Sequence, residues 1–338
     1  MSTRPLVAVV VAGIALVTTS AASADPWRKA TLDRPTHTRT WVIQYQAHSG
    51  RPRLAYVLVP ASYERRRGPA LPLVISPHGR GTTGQTNAKL WGDLPAVGSF
   101  AVVNPDGEGE HLGAYSWGAR GQVDDLARMP EVVAAALPWL RIDRRRIYAF
   151  GGSMGGQETL LLLAWHQRLL AGAAAFDSLV DFAHQYRQFP RLACSSACRG
   201  RLGTTLGSTL QRLARTEVGG DPRSAFRAFA ARSPLTYARA ISRTCVPLQI
   251  WWSRRDRIVV DPDRQSRRLL AELRRWNPAA PIEGVEGSWV HTAEMRASAR
   301  LPYALARFGL VPDTYGGRWG VDGARVSPAP SGDCVSKP

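Results

Sequence analysis

Apolar and polar positions along the chain fall into two kinds of pattern. Short runs rich in β-branched and aromatic residues predict strands at 41–48 (WVIQYQAH), 53–59 (RLAYVLV), 71–76 (LPLVIS), 100–104 (FAVVN), 146–150 (RIYAF), 170–176 (LAGAAAF), 247–252 (PLQIWW) and 282–286 (IEGVE). Apolar residues at i, i+3, i+4 spacing predict helices over 123–140, 156–167, 261–276 and 292–308. Asp261-Pro262 reads as a helix start, with Asp261 as the cap and Pro at the first helical position. Strands alternating with helices imply βα units and a mostly parallel sheet. The first two strands have no helix between them, so they are expected to pair antiparallel across the turn HSGRPR.

Two stretches break the rhythm. Residues 178–244 are far longer than a plain crossover needs, and they read as a helical cap inserted over the carboxyl end of the sheet. Residues 311–338 are rich in Gly and Pro and are expected to be irregular. At the other end, Arg4 precedes the apolar run PLVAVVVAGIALV, and Ala22-Ser23-Ala24 precedes Asp25. A basic start, an apolar core and an A-x-A site predict a signal peptide over 1–24 and an extracytoplasmic protein. The run is shorter than the roughly 20 residues that span a bilayer. The folded domain is then expected over 25–310, with no transmembrane segment in the mature chain.

Composition adds two points. The four cysteines, Cys194, Cys198, Cys245 and Cys334, allow three pairings in an exported chain. We expect Cys194–Cys198 as a local loop and Cys245–Cys334 as a clamp on the tail; the spacing C-x3-C is a poor zinc pattern, and no metal site is expected. The net charge is +18, carried almost wholly by arginine scattered along the chain. Scattered charge argues against a nucleic-acid reader, which concentrates it on one element. It suits an anionic cell envelope or an acidic polymer as a neighbour.

Gly151-Gly152-Ser153-Met154-Gly155-Gly156 contains G-x-S-x-G between a predicted strand and a predicted helix. That context makes Ser153 a candidate nucleophile on a sharp turn, with the Met154 N–H aimed at an oxyanion. A serine nucleophile needs a base, and the base an orienting acid. Asp256 follows the strand ending in WW, and His291 follows the last strand; it is the only histidine after Asp256. Asp177, Asp261 and Asp263 are the alternatives for the acid. The second oxyanion donor is expected in Pro77-His78-Gly79-Arg80-Gly81, with the Arg80 N–H first and Gly79 second; His78 is read as shaping that loop. Trp91, Trp117 and Trp289 lie on loops near this edge and are candidates for an aromatic substrate wall.

The set PHGRG, GGSMGG, SRRD and GSWVH resembles the α/β-hydrolase superfamily. FGGSMGG and RSPLTYARAISRTCVPLQIWWSRRDRIVV look like the prolyl oligopeptidase catalytic domain. The stretch from Val123 to Gly156 is equally similar to secreted esterases of the polyhydroxybutyrate-depolymerase and feruloyl-esterase type. The resemblance implies an α/β-hydrolase fold, a twisted sheet of about eight strands flanked by helices and carrying a cap. It implies a Ser-His-Asp hydrolase without a cofactor, acting on a small-molecule or polymer-linked ester. No propeller-like segment precedes the domain here, and IWWSRRD departs from the His-Gly form before the acid. An esterase is therefore favoured over an oligopeptidase. A non-catalytic binding protein on this fold would be expected to lack a triad member. Gly79-Arg80-Gly81-Thr82-Thr83-Gly84 also matches G-x-G-x-x-G. It follows the third strand instead of opening the sheet, and QTNAKLWGDL behind it lacks an amphipathic pattern, so a dinucleotide site is not expected.

Overall fold

The computed structural model describes residues 27–30, 37–65, 67–107, 116–192, 206–317, 321, 323–331 and 334. The expected leader, residues 1–24, and Cys194 and Cys198 lie outside the described residues. No helix among the described residues is long and apolar enough to cross a membrane.

The strands are β1 (Trp27–Ala30), β2 (Thr38–Gln46), β3 (Pro52–Pro60), β4 (Leu71–Ile75), β5 (Ala101–Pro105), β6 (Ile142–Gly152), β7 (Gly172–Phe176), β8 (Leu248–Ser253), β9 (Ile282–Gly287) and β10 (Arg325–Ser327). They form one sheet in the order β1-β2-β3-β5-β4-β6-β7-β8-β9-β10. Pairing is parallel from β5 to β9 and antiparallel at both ends. All eight expected strands form, and β2 and β3 pair antiparallel as expected. The sheet is wider than expected by one short strand at each edge.

Among the described residues the helices are α1 (Gly84–Ala88), α2 (Leu94–Gly98), α3 (Arg120–Ala127), α4 (Met129–Ala136), α5 (Met154–Trp165), α6 (Phe182–Gln188), α7 (Leu206–Val218), α8 (Phe226–Ala231), α9 (Ala238–Arg243), α10 (Ser266–Trp276), α11 (Leu301–Ala306) and α12 (Asp313–Gly316). Parallel strands buried on both faces read as continuous apolar runs. Alternate residues nonetheless divide between two cores. Leu73, Ile75, Ala149, Ala175 and Ile250 face α3, α4, α5, α9 and α10. Val74, Phe150, Phe176 and Trp251 face Trp91, α2 and α11 on the other side. On α10 the buried stripe is Leu269, Leu270 and Leu273; each such side chain contributes about 1.5–3 kcal/mol on leaving water.

Three expectations need correction. The pattern over 123–140 makes two helices, because Arg128 ends α3 and Pro130 lies in the first turn of α4. Residues 292–300 are turns, and only Leu301–Ala306 is helical. Asp261 does not cap a helix. It has a positive φ of 59°, faces His184 Nε2 at 3.1 Å, and α10 begins at Ser266.

The tail is also more ordered than its composition suggests. Arg325–Ser327 adds a strand to β9, the Arg274 guanidinium donates to the carbonyls of Ser327 and Pro328, and Cys245 is bonded to Cys334.

The inserted helices divide in two. Phe182, Tyr186, Leu210, Ala214, Val218 and Phe229 form a third apolar cluster with Trp117 and Met154, close to the start of α5. Ala238 and Ile241 of α9 instead join the main core. The helices that cover the carboxyl edge are therefore α6 to α8.

Candidate active site

The chain order reverses between β4 and β6, so the loop after β4 and the turn after β6 open side by side at the carboxyl edge. Open α/β sheets build sites at such points. Ser153 is the turn. It joins β6 directly to α5 with φ 59° and ψ −123°, a region that non-glycine residues rarely adopt. The strain, of order 1–3 kcal/mol, is held from both sides. The Ser153 N–H donates to the Phe176 carbonyl at 2.8 Å, and the Gln157 N–H donates to the Ser153 carbonyl at 3.0 Å.

The glycines around Ser153 permit close packing of backbone. A Cβ on Gly155 would fall on the Pro77 carbonyl oxygen, and one on Gly156 would fall on Ser178 Oγ. The first lets the loop after β4 lie against the opening turn of α5. Gly79 is in that loop, and a Cβ there would stand 3.8 Å from Ser153 Cβ. The Gly79 carbonyl accepts from Thr82 Oγ1 at 2.9 Å and from His78 Nδ1 at 2.8 Å. In a planar trans peptide the following N–H points the other way, so the Arg80 N–H lies on the opposite side of this peptide from His78 and Thr82. His78 is buried, and its Nε2 accepts the Gly107 N–H at 3.0 Å. That fixes the proton on Nδ1 and gives His78 the structural role expected of it.

The Arg80 side chain does something the sequence did not indicate. It forms a buried ion pair with Glu217 of α7, donates to Ser116 Oγ at 2.6 Å and lies 5.2 Å above the Trp117 ring. One residue thus ties the loop beside Ser153 to a helix of the insertion. Its partner is more than a hundred positions away, so no local pattern could reveal the pair.

Asp256 and His291 meet at the ends of β8 and β9. His291 Nδ1 is 2.7 Å from Asp256 Oδ2. The other carboxylate oxygen accepts the N–H groups of Ile258 and Val259 at 2.7 and 3.0 Å, which orients it. Burial alone would lower the imidazole pKa, but the Asp256 carboxylate, with Asp177 behind it, outweighs that and the net direction is upward. Nδ1 and Oδ2 thus form a hydrogen-bonded dyad. Gly152 and Thr292, the chain neighbours of Ser153 and His291, lie close together: a Cβ added to Gly152 would come 3.0 Å from Thr292 Cγ2. Of the alternative acids, Asp177 is 4.0 Å from His291 Nδ1, Asp261 faces His184, and Asp263 pairs with Arg267.

The three tryptophans do not form the expected open wall. Trp91 is 0% exposed, packs edge-on against Phe100 and Phe150, and donates to Ser76 Oγ. Trp117 is 3% exposed and stacks on Phe182. Trp289 is 8% exposed, between Trp251 and Arg300. All three are packing residues: their rings are used up by neighbouring side chains.

This fold has counterparts among solved structures. A puromycin-hydrolyzing peptidase from Mycobacterium tuberculosis matches over 85% of this chain and 41% of its own, with a TM-score of 0.60 and 19% identity. The acylaminoacyl peptidase of Pyrococcus horikoshii matches over 78% and 39%, with a TM-score of 0.55 and 13% identity. An esterase from Pyrobaculum calidifontis matches over 77% and 79%, with a TM-score of 0.54 and 18% identity. The chain has the α/β-hydrolase fold. It spans about two-fifths of the length of the two peptidases. No protein-family model and no curated protein sequence matches it. Ser153 stands between β6 and α5, Asp256 follows β8 and His291 follows β9, in the chain order Ser, Asp, His.

Proposed function

We propose that the chain is a serine hydrolase that cleaves carboxylic esters through Ser153, His291 and Asp256. The 2.7 Å contact between His291 Nδ1 and Asp256 Oδ2, beside a serine held on a strained elbow, carries the reading. Ser153 Oγ attacks the carbonyl carbon while His291 Nε2 takes its proton, and Asp256 stabilises the imidazolium. The Met154 N–H at the start of α5 and the Arg80 N–H receive the oxyanion. His291 returns the proton to the leaving alcohol, and water then hydrolyses the acyl-enzyme by the same route.

Ester over peptide substrates is supported by coverage, since the esterase is matched over 79% of its own length. The number of peptidases among the similar structures favours a second reading, hydrolysis of short peptides. A panel of p-nitrophenyl esters of rising chain length, beside aryl esters and aminoacyl amides, separates the two. Turnover of amides with none of esters would reverse the choice. The Cys245–Cys334 bond and the leader-like sequence over 1–24 support an extracytoplasmic location. The charge of +18 supports association with an anionic envelope.

A further inference from the structure

The mechanism uses one of the carboxylates around His291 and leaves two others without a role. Asp177 ends β7 and Glu294 lies three residues past His291; they are 1% and 0% exposed. Asp177 Oδ2 accepts the Thr292 N–H at 2.8 Å and stands 4.0 Å from His291 Nδ1. Thr292 is a β-branched residue at a φ of 55°, so this bond holds a strained turn directly after the base. Asp177 Oδ1 and both oxygens of Glu294 are buried without a completed hydrogen bond.

The charged neighbours of the pair are few. Asp256 and His291 face Asp177, while Asp177 and then Asp256 act on Glu294. Arg296 is exposed, and Arg300 lays its guanidinium 5.1 Å over the Trp289 ring, with only its backbone N–H donating to the Glu294 carbonyl. Two adjacent buried carboxyls with no cation between them cannot both ionise. One must keep a proton, and among the described residues the two side chains interact directly with each other.

We propose that Asp177 and Glu294 form a proton-sharing pair that positions the His291–Thr292 turn and sets the charge behind the imidazole. Glu294 is the member that holds the proton. Burial, then the neighbouring Asp177, push it well above the usual carboxylate range. Asp177 is raised to about 7 by burial and then by Asp256, against the pull of His291 and the Thr292 N–H. Near neutrality Asp177 is therefore only partly ionised, and its ionised fraction is a second, weaker counter-charge to the His291 imidazolium. Both are positioning residues, and the proposal rests on His291 being the catalytic base.

Asp177→Asn is the sharpest test, because it keeps an acceptor for the Thr292 N–H and removes only the charge. At 4 Å one charge is worth roughly 0.7 pH unit even in the dielectric of water. The acid limb of the kcat/KM profile should therefore move down, by up to about that much, since Asp177 is itself partly protonated there. Asp177→Ala also removes the acceptor, and its kcat should fall at least about tenfold below that of Asp177→Asn. An acid limb unmoved in Asp177→Asn overturns the proposal. Infrared spectroscopy tests the pair without turnover: wild type minus Glu294→Gln at neutral pH should show the carbonyl band of a protonated carboxyl group. A difference spectrum without that band overturns the proposal as well. A folded but inert wild type would defeat the hydrolase reading instead, and the infrared band would then decide the pair by itself.

Discussion

His291 hydrogen-bonds Asp256 at 2.7 Å, while Asp177, at the end of the neighbouring strand, stops at 4.0 Å. Two carboxylates reach the imidazole and only one orients it. Asp256→Asn should lower kcat by about 10³–10⁴ with little change in KM, since an amide favours the wrong tautomer. Asp177→Asn should stay within about tenfold of wild type at neutral pH. Steady-state kinetics of both variants on one ester checks the ranking, and a reversed order would make Asp177 the acid.

The elbow depends on missing side chains. Gly155→Ala would drive a Cβ into the Pro77 carbonyl. Neither partner can yield easily, because both are backbone. We expect a loss of about 1–3 kcal/mol in urea unfolding, as for other overpacked sites. Turnover should fall by more than stability, because the loop carrying the Arg80 N–H is pushed from Ser153.

Arg80 and Glu217 form a buried ion pair between that loop and α7. Removing one partner leaves an uncompensated buried charge. Glu217→Ala is expected to cost about 3–5 kcal/mol. Replacing both, as Arg80→Met with Glu217→Leu, should recover a large part of it. A double-mutant cycle by chemical denaturation measures the coupling.

Glu158, wholly buried on α5, has its pKa raised to about 8, chiefly by burial. A carboxyl raised in the folded state binds more protons there than in the unfolded chain between its two pKa values. Its contribution is therefore fully present below its ordinary value near 4.5 and is lost as pH rises towards 8. Glu158→Gln cannot ionise, so it should flatten this decline and be the more stable protein above pH 8, by an amount on the order of 1–3 kcal/mol. Thermal melting across that range checks it.

Much of the framework could be read from pattern. The central strands were legible because both faces are buried and their apolar runs are continuous. The candidates Ser153, Asp256 and His291 stood out because each follows such a run, in the order expected of a triad. The edge strands were not: Arg325–Ser327 is three residues long in a Gly- and Pro-rich segment, and its order comes from Arg274 and the disulfide. Nearness to a motif misled for the tryptophans, since sequence does not say which side of a loop an indole faces. Glu294 was read as part of a helix because its spacing fits one. The turn at Thr292 buries it instead, and that turn depends on Asp177, contributed by a distant strand.

The central claim is that Ser153 is an activated nucleophile. Incubating the folded protein with a fluorophosphonate and mapping the adduct by mass spectrometry tests it most directly. We predict one adduct, on Ser153, formed far more slowly in His291→Ala. A folded protein that gains no adduct, or gains it on another serine, would contradict the account.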